Sequence, residues 1–486
     1  MRLYVEFHLL NLIKNIKHRN NKLLNDWKLN IVAEKTKQKI FKKNQKINLA
    51  SINSKDVKKN DVFFGIKGKK INGNKYANEA IKKGAAFTVV EKNYNYLNHK
   101  KIKTDNSLNF LTECARSIRK SSNIKAIAIT GSSGKTSLKE LLGQTLNKIF
   151  PTSYSKKSFN NKYGVPLSLF NIRKKDIFGV FEVGMDKKGE IDNLTKLVMP
   201  DLGVITNISY AHIKNFKSLS GIASAKSEII NNITIGGTIV LNKDDKFFDY
   251  LKAKAQKKKL KIISFGVKNK ADIKLVKIVK LKSKLILNIK INNKIKKFFI
   301  KKYFKHYVLN VLSAIAIISN FTDIKNIKKD IFYNFTPPSG RGDFTKVKIK
   351  GKTINVVDES YNSNPLSLEF AINNFDKIKI SPKSKYILLA DMLELGKFSK
   401  KLHKQAAKTL NKSKINKVYV YGKYIRETFN KIQTQKQGKI LKNKIEIFNL
   451  MKNDLKDNDY LMAKGSNSTG LNNIISKIKL GRINAL

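Results

Sequence analysis

The sequence predicts an α/β protein of three domains: a small N-terminal α/β domain, a central domain with a P-loop and a mostly parallel sheet, and a Rossmann-like C-terminal domain. Three observations support this fold class. The 486 residues are enough for about three domains with buried cores. Short apolar segments alternate with segments of helical spacing, as in parallel sheets. A glycine-rich turn, residues 130–136, follows an apolar strand and precedes a helix.

The N-terminal part divides into an extension, residues 1–25, and a small α/β domain, residues 26–104. Charged residues interrupt the apolar stretch of the extension, and no small-residue cleavage site follows that stretch. The extension is therefore a poor candidate for a signal peptide. Its basic residues would also fit a weak association with a membrane surface. For residues 1–25 we favour an additional N-terminal helix or a simple extension over a signal peptide or a membrane-associated segment. In the domain, helical spacing runs from Tyr76 to Lys83, and a strand is predicted over Ala85–Val90.

The central domain is predicted to span residues 105–336. It opens with a helix over Leu108–Lys120. Four apolar strands are predicted: Lys125–Ile129, Ile177–Val183, Leu202–Thr206 and Thr238–Leu241. Ligands gather beyond the carboxyl ends of parallel strands, so we expect the residues after these strands to form a site. From Ile273 to Phe299 lysine alternates with Ile, Val or Leu, which predicts antiparallel hairpins with one solvated face.

The C-terminal domain is predicted to span residues 337–486, beginning at two adjacent prolines. Its apolar strands again alternate with helical segments, which is typical of a doubly wound sheet. The predicted strands are Ile354–Val357, Tyr386–Leu389, Lys417–Tyr421 and Tyr460–Met462.

The turn from Thr130 to Thr136 has the parts of a phosphate-binding loop. Glycines let backbone N–H groups approach phosphate oxygens, Lys135 would neutralise phosphate charge, and the hydroxyl of Thr136 would bind Mg²⁺. Ile129 stands where the standard motif has its first glycine. The shortened loop is therefore either a chance glycine turn or the loop of a distinct nucleotide-binding family.

Two further residues, Glu182 and His212, are candidates because of their position at or shortly after the ends of predicted strands. Glu182 ends an apolar strand, where a buried unpaired carboxylate would be unfavourable, so a metal ion or a strand-end salt bridge is expected. His212, shortly after the next strand, fits either a metal ligand or an ordinary loop histidine. Lys226 would not be singled out on its own in a chain this rich in lysine.

Composition excludes several classes of protein. The chain carries 99 Lys and Arg against 35 Asp and Glu, but arginine occurs at only eight positions. Because direct readers of nucleic acid favour arginine, we interpret the excess as compositional bias on solvated faces rather than a nucleic-acid site. The single Cys114 excludes an intrachain disulfide framework and fits a reducing, cytoplasmic compartment. No apolar run approaches the ~20 residues that span a bilayer.

Together, a series of segments resembles the ATP-dependent Mur ligases of peptidoglycan synthesis in order and spacing. The segments are Thr130–Thr136, Asn160–Pro166, Glu182, Asn207–His212 and Ala225–Glu228. Two later segments, Asp358–Pro365 and Asp391–Gly396, look like those of the member that joins D-Ala-D-Ala to UDP-N-acetylmuramoyl-tripeptide, and Asp459–Ser466 agrees. The resemblance runs from about Trp27 to the C-terminus.

The resemblance implies a role for each domain and for named residues. Residues 26–104 would bind the UDP substrate, the central domain ATP and Mg²⁺, and the C-terminal domain D-Ala-D-Ala while closing on ATP. The implied nucleotide-binding residues are Gly131, Ser132, Ser133, Gly134, Lys135, Thr136, Asn160, Asn161, Asn310, Arg341 and Glu359. The implied metal ligands are Thr136, Glu182, His212 and Lys226, the last carbamylated by CO₂ into an anionic oxygen donor. The implied catalytic residues are Lys135, Lys226 and His212.

Some positions depart from the family's pattern. Glu359 replaces an aspartate beside the ribose, Tyr307 replaces an asparagine and Ala390 replaces a glycine. In the first domain, Asn53 and Lys55 stand where the family has a carboxylate and an arginine that meet the uridine nucleotide.

The expected protein is thus a monomeric ligase that forms an amide through an acyl phosphate. Three alternatives stay open. A sister Mur ligase or a folylpolyglutamate-type ligase would share the central residues. A nucleic-acid-binding ATPase would explain the charge, and a non-catalytic scaffold would bind nucleotide alone.

Overall fold

A computed structural model describes residues 26–36, 45–94, 100–301, 307–378 and 384–481. The extension 1–25 and the interpretations attached to it lie outside the described residues. Within them the strands form three sheets, of four, nine and six strands. This confirms the predicted α/β fold of three domains. The boundaries chosen from the sequence stay predictions.

The first sheet is small and entirely parallel, in the order β1-β2-β3-β4. Its strands are β1 (Ala50–Ser51), β2 (Val62–Phe64), β3 (Phe87–Glu91) and β4 (Lys101–Thr104). Helices α1 (Trp27–Thr36) and α2 (Ala77–Lys82) belong to the same part of the chain. All three residues of β2 are buried, as expected of a parallel strand covered on both faces.

The central sheet has the order β13-β12-β11-β10-β9-β8-β5-β7-β6. Its strands are β5 (Lys125–Thr130), β6 (Thr152–Tyr154), β7 (Phe178–Glu182), β8 (Leu202–Ile205), β9 (Thr238–Asn242), β10 (Lys261–Gly266), β11 (Ile273–Lys280), β12 (Lys284–Ile291) and β13 (Lys294–Lys301). Strands β5 to β11 run parallel, and β11, β12 and β13 pair antiparallel, which confirms the predicted hairpins.

Seven helices accompany the central sheet in the described part of the chain. They are α3 (Ser107–Ser121), α4 (Lys135–Leu146), α5 (Gly164–Phe170), α6 (Glu190–Val198), α7 (Leu219–Ser227), α8 (Phe248–Lys257) and α9 (Val308–Phe321). Helix α3 begins where Asn106 accepts a hydrogen bond from the backbone N–H of Asn109, a typical N-cap. It packs against α1 and α5 and so joins the first domain to the second.

The third sheet has the order β14-β15-β19-β16-β17-β18 and is parallel except for the β14–β15 hairpin. Its strands are β14 (Asp343–Ile349), β15 (Lys352–Glu359), β16 (Lys385–Ala390), β17 (Lys417–Tyr421), β18 (Gln437–Leu441) and β19 (Tyr460–Lys464). Its helices are α10 (Pro365–Asp376), α11 (Ser399–Lys412), α12 (Arg426–Phe429), α13 (Lys444–Asn449) and α14 (Leu471–Lys479).

Strand β5, which lies between β8 and β7 inside the sheet, positions the site. Its side chains alternate between two apolar cores, with Ala126 and Ala128 in one and Ile127 and Ile129 in the other. Burial on both faces holds the end of β5 at Thr130 in place, and the glycine-rich loop starts there. None of the described helices is both long and apolar enough to cross a bilayer.

Candidate active site

The loop between β5 and α4 requires its two glycines. Gly131 has φ 145° and Gly134 has φ 84°, a region that favours glycine. A Cβ on Gly131 would lie 1.9 Å from Oγ1 of Thr206, so no other residue fits there. Gly134 is the N-cap of α4, whose first backbone N–H groups have no partner within the helix. The loop therefore brings a helix N-terminus to the end of the strand, as phosphate sites require.

The segment after β8 holds this loop in shape. The backbone N–H of Ser132 donates to the carbonyl of Asn207 at 2.9 Å, and that of Ser133 to the Asn207 side chain at 3.0 Å. The hydroxyl of Thr206 donates to the carbonyl of Ser133 at 2.6 Å. Hydrogen bonds within the protein thus fix the shape of the loop.

Lys135 folds back over the loop, where its Nζ donates to the carbonyl of Gly131 at 2.7 Å. Burial lowers the pKa of Lys135, and the carboxylate of Glu182 offsets part of that shift. An anionic group in the loop would stabilise the charged lysine in the same way.

Glu182, Thr136 and Asn160 form an oxygen-rich cluster beside the loop. Glu182 is 1% exposed. Its carboxylate accepts from the Thr136 hydroxyl and from Nδ2 of Asn160, each at 2.7 Å. It makes no ion pair with the described residues, so the salt bridge considered from the sequence is absent from them.

The adjacent Asn161 has a different place. Its side chain accepts from the backbone N–H groups of Tyr163 and Gly164, at 3.1 Å each, and so caps α5. Of the two asparagines, the structure brings only Asn160 into contact with the cluster around Glu182.

Lys226 lies on α7 and is 1% exposed. Its Nζ has no hydrogen bond or ion pair with any described residue. Burial, and after it the charge of Lys135, lowers the pKa of Lys226 well below its ordinary range. Both effects favour the neutral amine over the ammonium.

His212 joins the central and C-terminal domains. Its Nδ1 lies 2.7 Å from Oε2 of Glu394 and 3.1 Å from Oδ1 of Asp186. Burial pulls the pKa of His212 down, but the two carboxylates outweigh it, so the net shift is upward. One ligand atom from each of the three residues lies close enough to the others to surround a cation.

Two of the residues implied for the nucleotide, Asn310 and Arg341, lie near the same loop. A Cβ on Gly134 would be 3.1 Å from Oδ1 of Asn310, which places that amide beside the loop. Arg341 donates from Nη2 to the hydroxyl of Ser158 at 3.2 Å. Glu359 pairs with the buried Lys464 at 3.5 Å.

Contacts from the C-terminal domain reach the loop directly. Asn364, the N-cap of α10, donates from Nδ2 to Oγ of Ser133 at 2.9 Å and to the carbonyl of Ser132 at 3.4 Å. The guanidinium of Arg341 lies 4.3 Å from the centre of the Tyr361 ring. The third domain is therefore docked against the glycine-rich loop.

Two departures from the family's pattern have structural partners. The buried Tyr307 donates its hydroxyl to the carbonyl of Arg341 at 2.6 Å and so ties α9 to the third domain. Asn53 caps a short helical turn by accepting from the backbone N–H of Lys55 at 3.2 Å.

Four residues at the site were not singled out by sequence reasoning: Ser158, Asp186, Asn364 and Glu394. Glu394 and Asn364 lie inside segments that carried the resemblance, which was the available signal. No sequence signal indicated Ser158 or Asp186, because each meets its partner only after distant segments fold together.

Comparisons with known proteins agree with this architecture. The chain matches the Mur ligase family catalytic domain over residues 46–119, the Mur ligase middle domain over 129–318, and the Mur ligase glutamate ligase domain over 340–467. A relative in Rickettsia prowazekii, UDP-N-acetylmuramoyl-tripeptide--D-alanyl-D-alanine ligase, is 30% identical over 88% of this chain and 94% of its own length. A ligase of the same name in Bacillus subtilis is 27% identical over 87% of this chain and 92% of its own.

Solved structures share the fold. The crystal structure of MurF from Acinetobacter baumannii has a TM-score of 0.77 at 23% identity and covers 93% of this chain and 98% of its own. The MurF ligase of Thermotoga maritima in complex with ADP has a TM-score of 0.73 at 23% identity, with 90% and 99% covered.

Proposed function

This chain belongs to the Mur ligase family, and from that premise we propose that it is the ATP-dependent ligase that joins D-Ala-D-Ala to UDP-N-acetylmuramoyl-tripeptide. One observation carries the proposal: Lys135, Thr136, Glu182, His212 and Lys226 lie together after the carboxyl ends of β5, β7 and β8, which are neighbours in one sheet. Relatives with the same printed name match along most of both chains.

The reaction must make an electrophile from a carboxylate, whose oxygen is a poor leaving group. In the proposed sequence the terminal carboxylate of the tripeptide takes the γ-phosphoryl group of ATP, giving an acyl phosphate and ADP. The amine of D-Ala-D-Ala then attacks the acyl carbon, phosphate leaves and a proton is lost from nitrogen. The products are an amide, ADP and phosphate.

The loop supplies positioning and charge for the first step. Lys135 and the N-terminus of α4 would bind the phosphates of ATP. The enzyme needs no covalent intermediate of its own, because bringing two anionic reactants together and offsetting their charge lowers the barrier.

The donor atoms at the site fit Mg²⁺. A hydroxyl and a carboxylate oxygen already lie 2.7 Å apart at Thr136 and Glu182, and hard cations prefer such oxygen ligands. We propose Thr136, Glu182, His212 and modified Lys226 as the residues that would hold it. Bound there, Mg²⁺ would supply positive charge between phosphates and carboxylate.

Lys226 fits carbamylation by CO₂. Its neutral amine would attack CO₂ and lose a proton, leaving a carbamate anion that offers oxygen ligands. A free ammonium at this position would repel both Mg²⁺ and Lys135, whereas a carbamate would attract both. The absence of any partner for Nζ among the described residues leaves the amine free to react.

For the remaining residues, we propose contacts with the nucleotide from the groups that each side chain lies beside. Asn310 lies beside the loop and would contact adenine, while Glu359 would lie near the ribose and Arg341 would reach the phosphates from the third domain. Gly131, Ser132, Ser133 and Gly134 would present backbone N–H groups to the phosphates. Asn160 would support the metal cluster through Glu182, and Asn161 would act indirectly by capping α5.

The experiment is product identification by mass spectrometry. The purified chain with ATP, Mg²⁺, UDP-N-acetylmuramoyl-tripeptide and D-Ala-D-Ala should yield the UDP-linked pentapeptide. A product from another muramoyl precursor would indicate a sister ligase, and none with any precursor would favour a scaffold. We propose a monomer in the cytoplasm, where ATP and UDP-linked precursors occur, with no nucleic-acid partner.

A further inference from the structure

One buried charged residue has no part in the proposed reaction. Lys139 lies on α4, one turn after Lys135, and its side chain is 0% exposed. Residues four apart lie on the same face of a helix, so both lysines point to the same side of α4. Burial lowers the pKa of Lys139, and the adjacent Glu140 offsets part of that shift.

The ammonium of Lys139 is bound to one short segment of the chain. Its Nζ donates to the carbonyls of Ser155, at 2.6 Å, and Lys157, at 2.8 Å, and it also pairs with Glu140. The ring of Tyr154 lies 5.8 Å from the same nitrogen. Hydrogen bonds from a buried cation are stronger than neutral ones, so these contacts fix the segment firmly.

The segment leads directly into the proposed metal cluster. Ser158 follows Lys157, and its hydroxyl lies 3.3 Å from that of Thr136 and accepts from Arg341. Two residues later Asn160 donates to Glu182. Residues 155–160 thus carry two of the side chains that surround Thr136 and Glu182.

Among the described residues, backbone hydrogen bonds tie the two ends of this segment to the rest of the chain, and one more, from the N–H of Phe159 to the carbonyl of Lys156 at 3.2 Å, lies within the segment. The N–H of Ser155 donates to Val180 at 3.0 Å, and the carbonyl of Asn160 accepts from Gly184 at 2.7 Å. Lys139 supplies the contact between those ends, at the carbonyl next to Ser158.

We infer that Lys139 is a positioning residue for the metal site: it holds residues 155–160 so that Ser158 and Asn160 lie against Thr136 and Glu182. The inference rests on the proposed function, because it takes those two residues as Mg²⁺ ligands. Groups that orient metal ligands typically change metal affinity 10–100-fold when removed.

The test measures ADP binding by titration calorimetry at a series of Mg²⁺ concentrations and in EDTA. Lys139→Met should need about 10-fold more Mg²⁺ than the wild type for the same tightening of ADP binding. Its ADP affinity in EDTA should match the wild type, because Lys135 and the loop are intact.

Two control variants separate positioning from general stability. Glu140→Gln keeps Lys139 and both carbonyl contacts, so its Mg²⁺ requirement should not change. Leu142→Ala removes a buried side chain from the same helix and should lower the melting temperature without shifting the Mg²⁺ requirement. If Lys139→Met alone fails to fold, the double variant Lys139→Met with Glu140→Gln replaces it, since no unpaired carboxylate is then left behind.

An unshifted Mg²⁺ requirement in the folded Lys139 variant would overturn the inference, as would an equal shift in Leu142→Ala. Nucleotide binding that is independent of Mg²⁺ in the wild type would overturn the proposed function as well. The two failures are therefore distinguishable.

Discussion

Oε2 of Glu394, in the C-terminal domain, lies 2.7 Å from Nδ1 of His212, in the central domain. The backbone supports the same contact, because the N–H of Lys214 donates to the carbonyl of Glu394 at 3.0 Å. A proposed metal ligand in one domain is thus oriented by a carboxylate from another. The contact between the two domains therefore lies at the proposed metal site.

The first prediction concerns this contact. Glu394→Gln should lower kcat about 10-fold, because the carboxylate beside the proposed metal ligand His212 is lost. The KM for ATP should stay near the wild-type value, since the phosphate-binding loop is untouched. Glu369→Gln, at an exposed position on α10, is the control and should behave as wild type. Equal kcat in Glu394→Gln and the control would show that the contact has no role in turnover.

The second prediction concerns the loop. Lys135→Ala should lower phosphate release by about 10²–10³-fold, because the group that offsets phosphate charge is removed. Circular dichroism should be unchanged, since the Lys135 side chain is not part of the apolar core. Lys257→Ala, an exposed lysine on α8, is the matched control. Retained turnover in Lys135→Ala would rule out the assignment of this loop to ATP.

The third prediction concerns CO₂. Activity should fall after dialysis in CO₂-depleted buffer and return on addition of bicarbonate, because the proposed carbamate on Lys226 would form reversibly. Only the neutral amine reacts with CO₂, so recovery should weaken as pH falls through the lowered pKa of Lys226. Lys226→Ala should be inactive with and without bicarbonate. Full activity of the wild type without CO₂ would contradict carbamylation.

The fourth prediction concerns pH and stability. Buried His403 accepts the N–H of Met392 at Nε2, 3.0 Å away, and burial lowers the pKa of this histidine. The unfolded chain, with a histidine pKa of about 6.5, binds a proton that the folded state excludes. The free energy of unfolding should therefore fall as pH drops below about 6.5, by up to about 1.4 kcal/mol per pH unit.

Urea unfolding of His403→Gln checks this pH dependence. In the variant, the free energy of unfolding should lack the part of its pH dependence that comes from His403. Its loss of stability between about pH 7 and 5 should therefore be smaller than that of the wild type. At pH 8 the protonation of His403 no longer affects stability. Any difference in the free energy of unfolding between the wild type and the variant at that pH therefore reflects lost contacts alone. Parallel slopes for the two proteins would contradict a neutral buried His403.

Much of the architecture was predictable because it depends on local pattern. The strands of the central sheet follow apolar runs, and the lysine alternation after Ile273 correctly predicted antiparallel hairpins. The site near Thr130 and Glu182 was predictable from a general rule, since the ends of parallel strands meet at one edge.

What the sequence did not reveal depends on contacts between distant segments. Sequence reasoning did not single out Lys139, and only the folded chain shows it buried against residues 155–157. Glu394 meets His212 across the interface between two domains, and the two residues are far apart along the chain. Asn160 contacts Glu182 whereas Asn161 lies in the turn before α5, a difference that depends on where α5 begins and that no sequence pattern predicted.

The most direct measurement is phosphate release with each substrate omitted in turn. The account predicts release only when ATP, UDP-N-acetylmuramoyl-tripeptide and D-Ala-D-Ala are present together, with background rates when any one is missing or when the tripeptide is replaced by a shorter precursor. Release that continues without D-Ala-D-Ala, or that depends on a different amino acid or on nucleic acid, would contradict it.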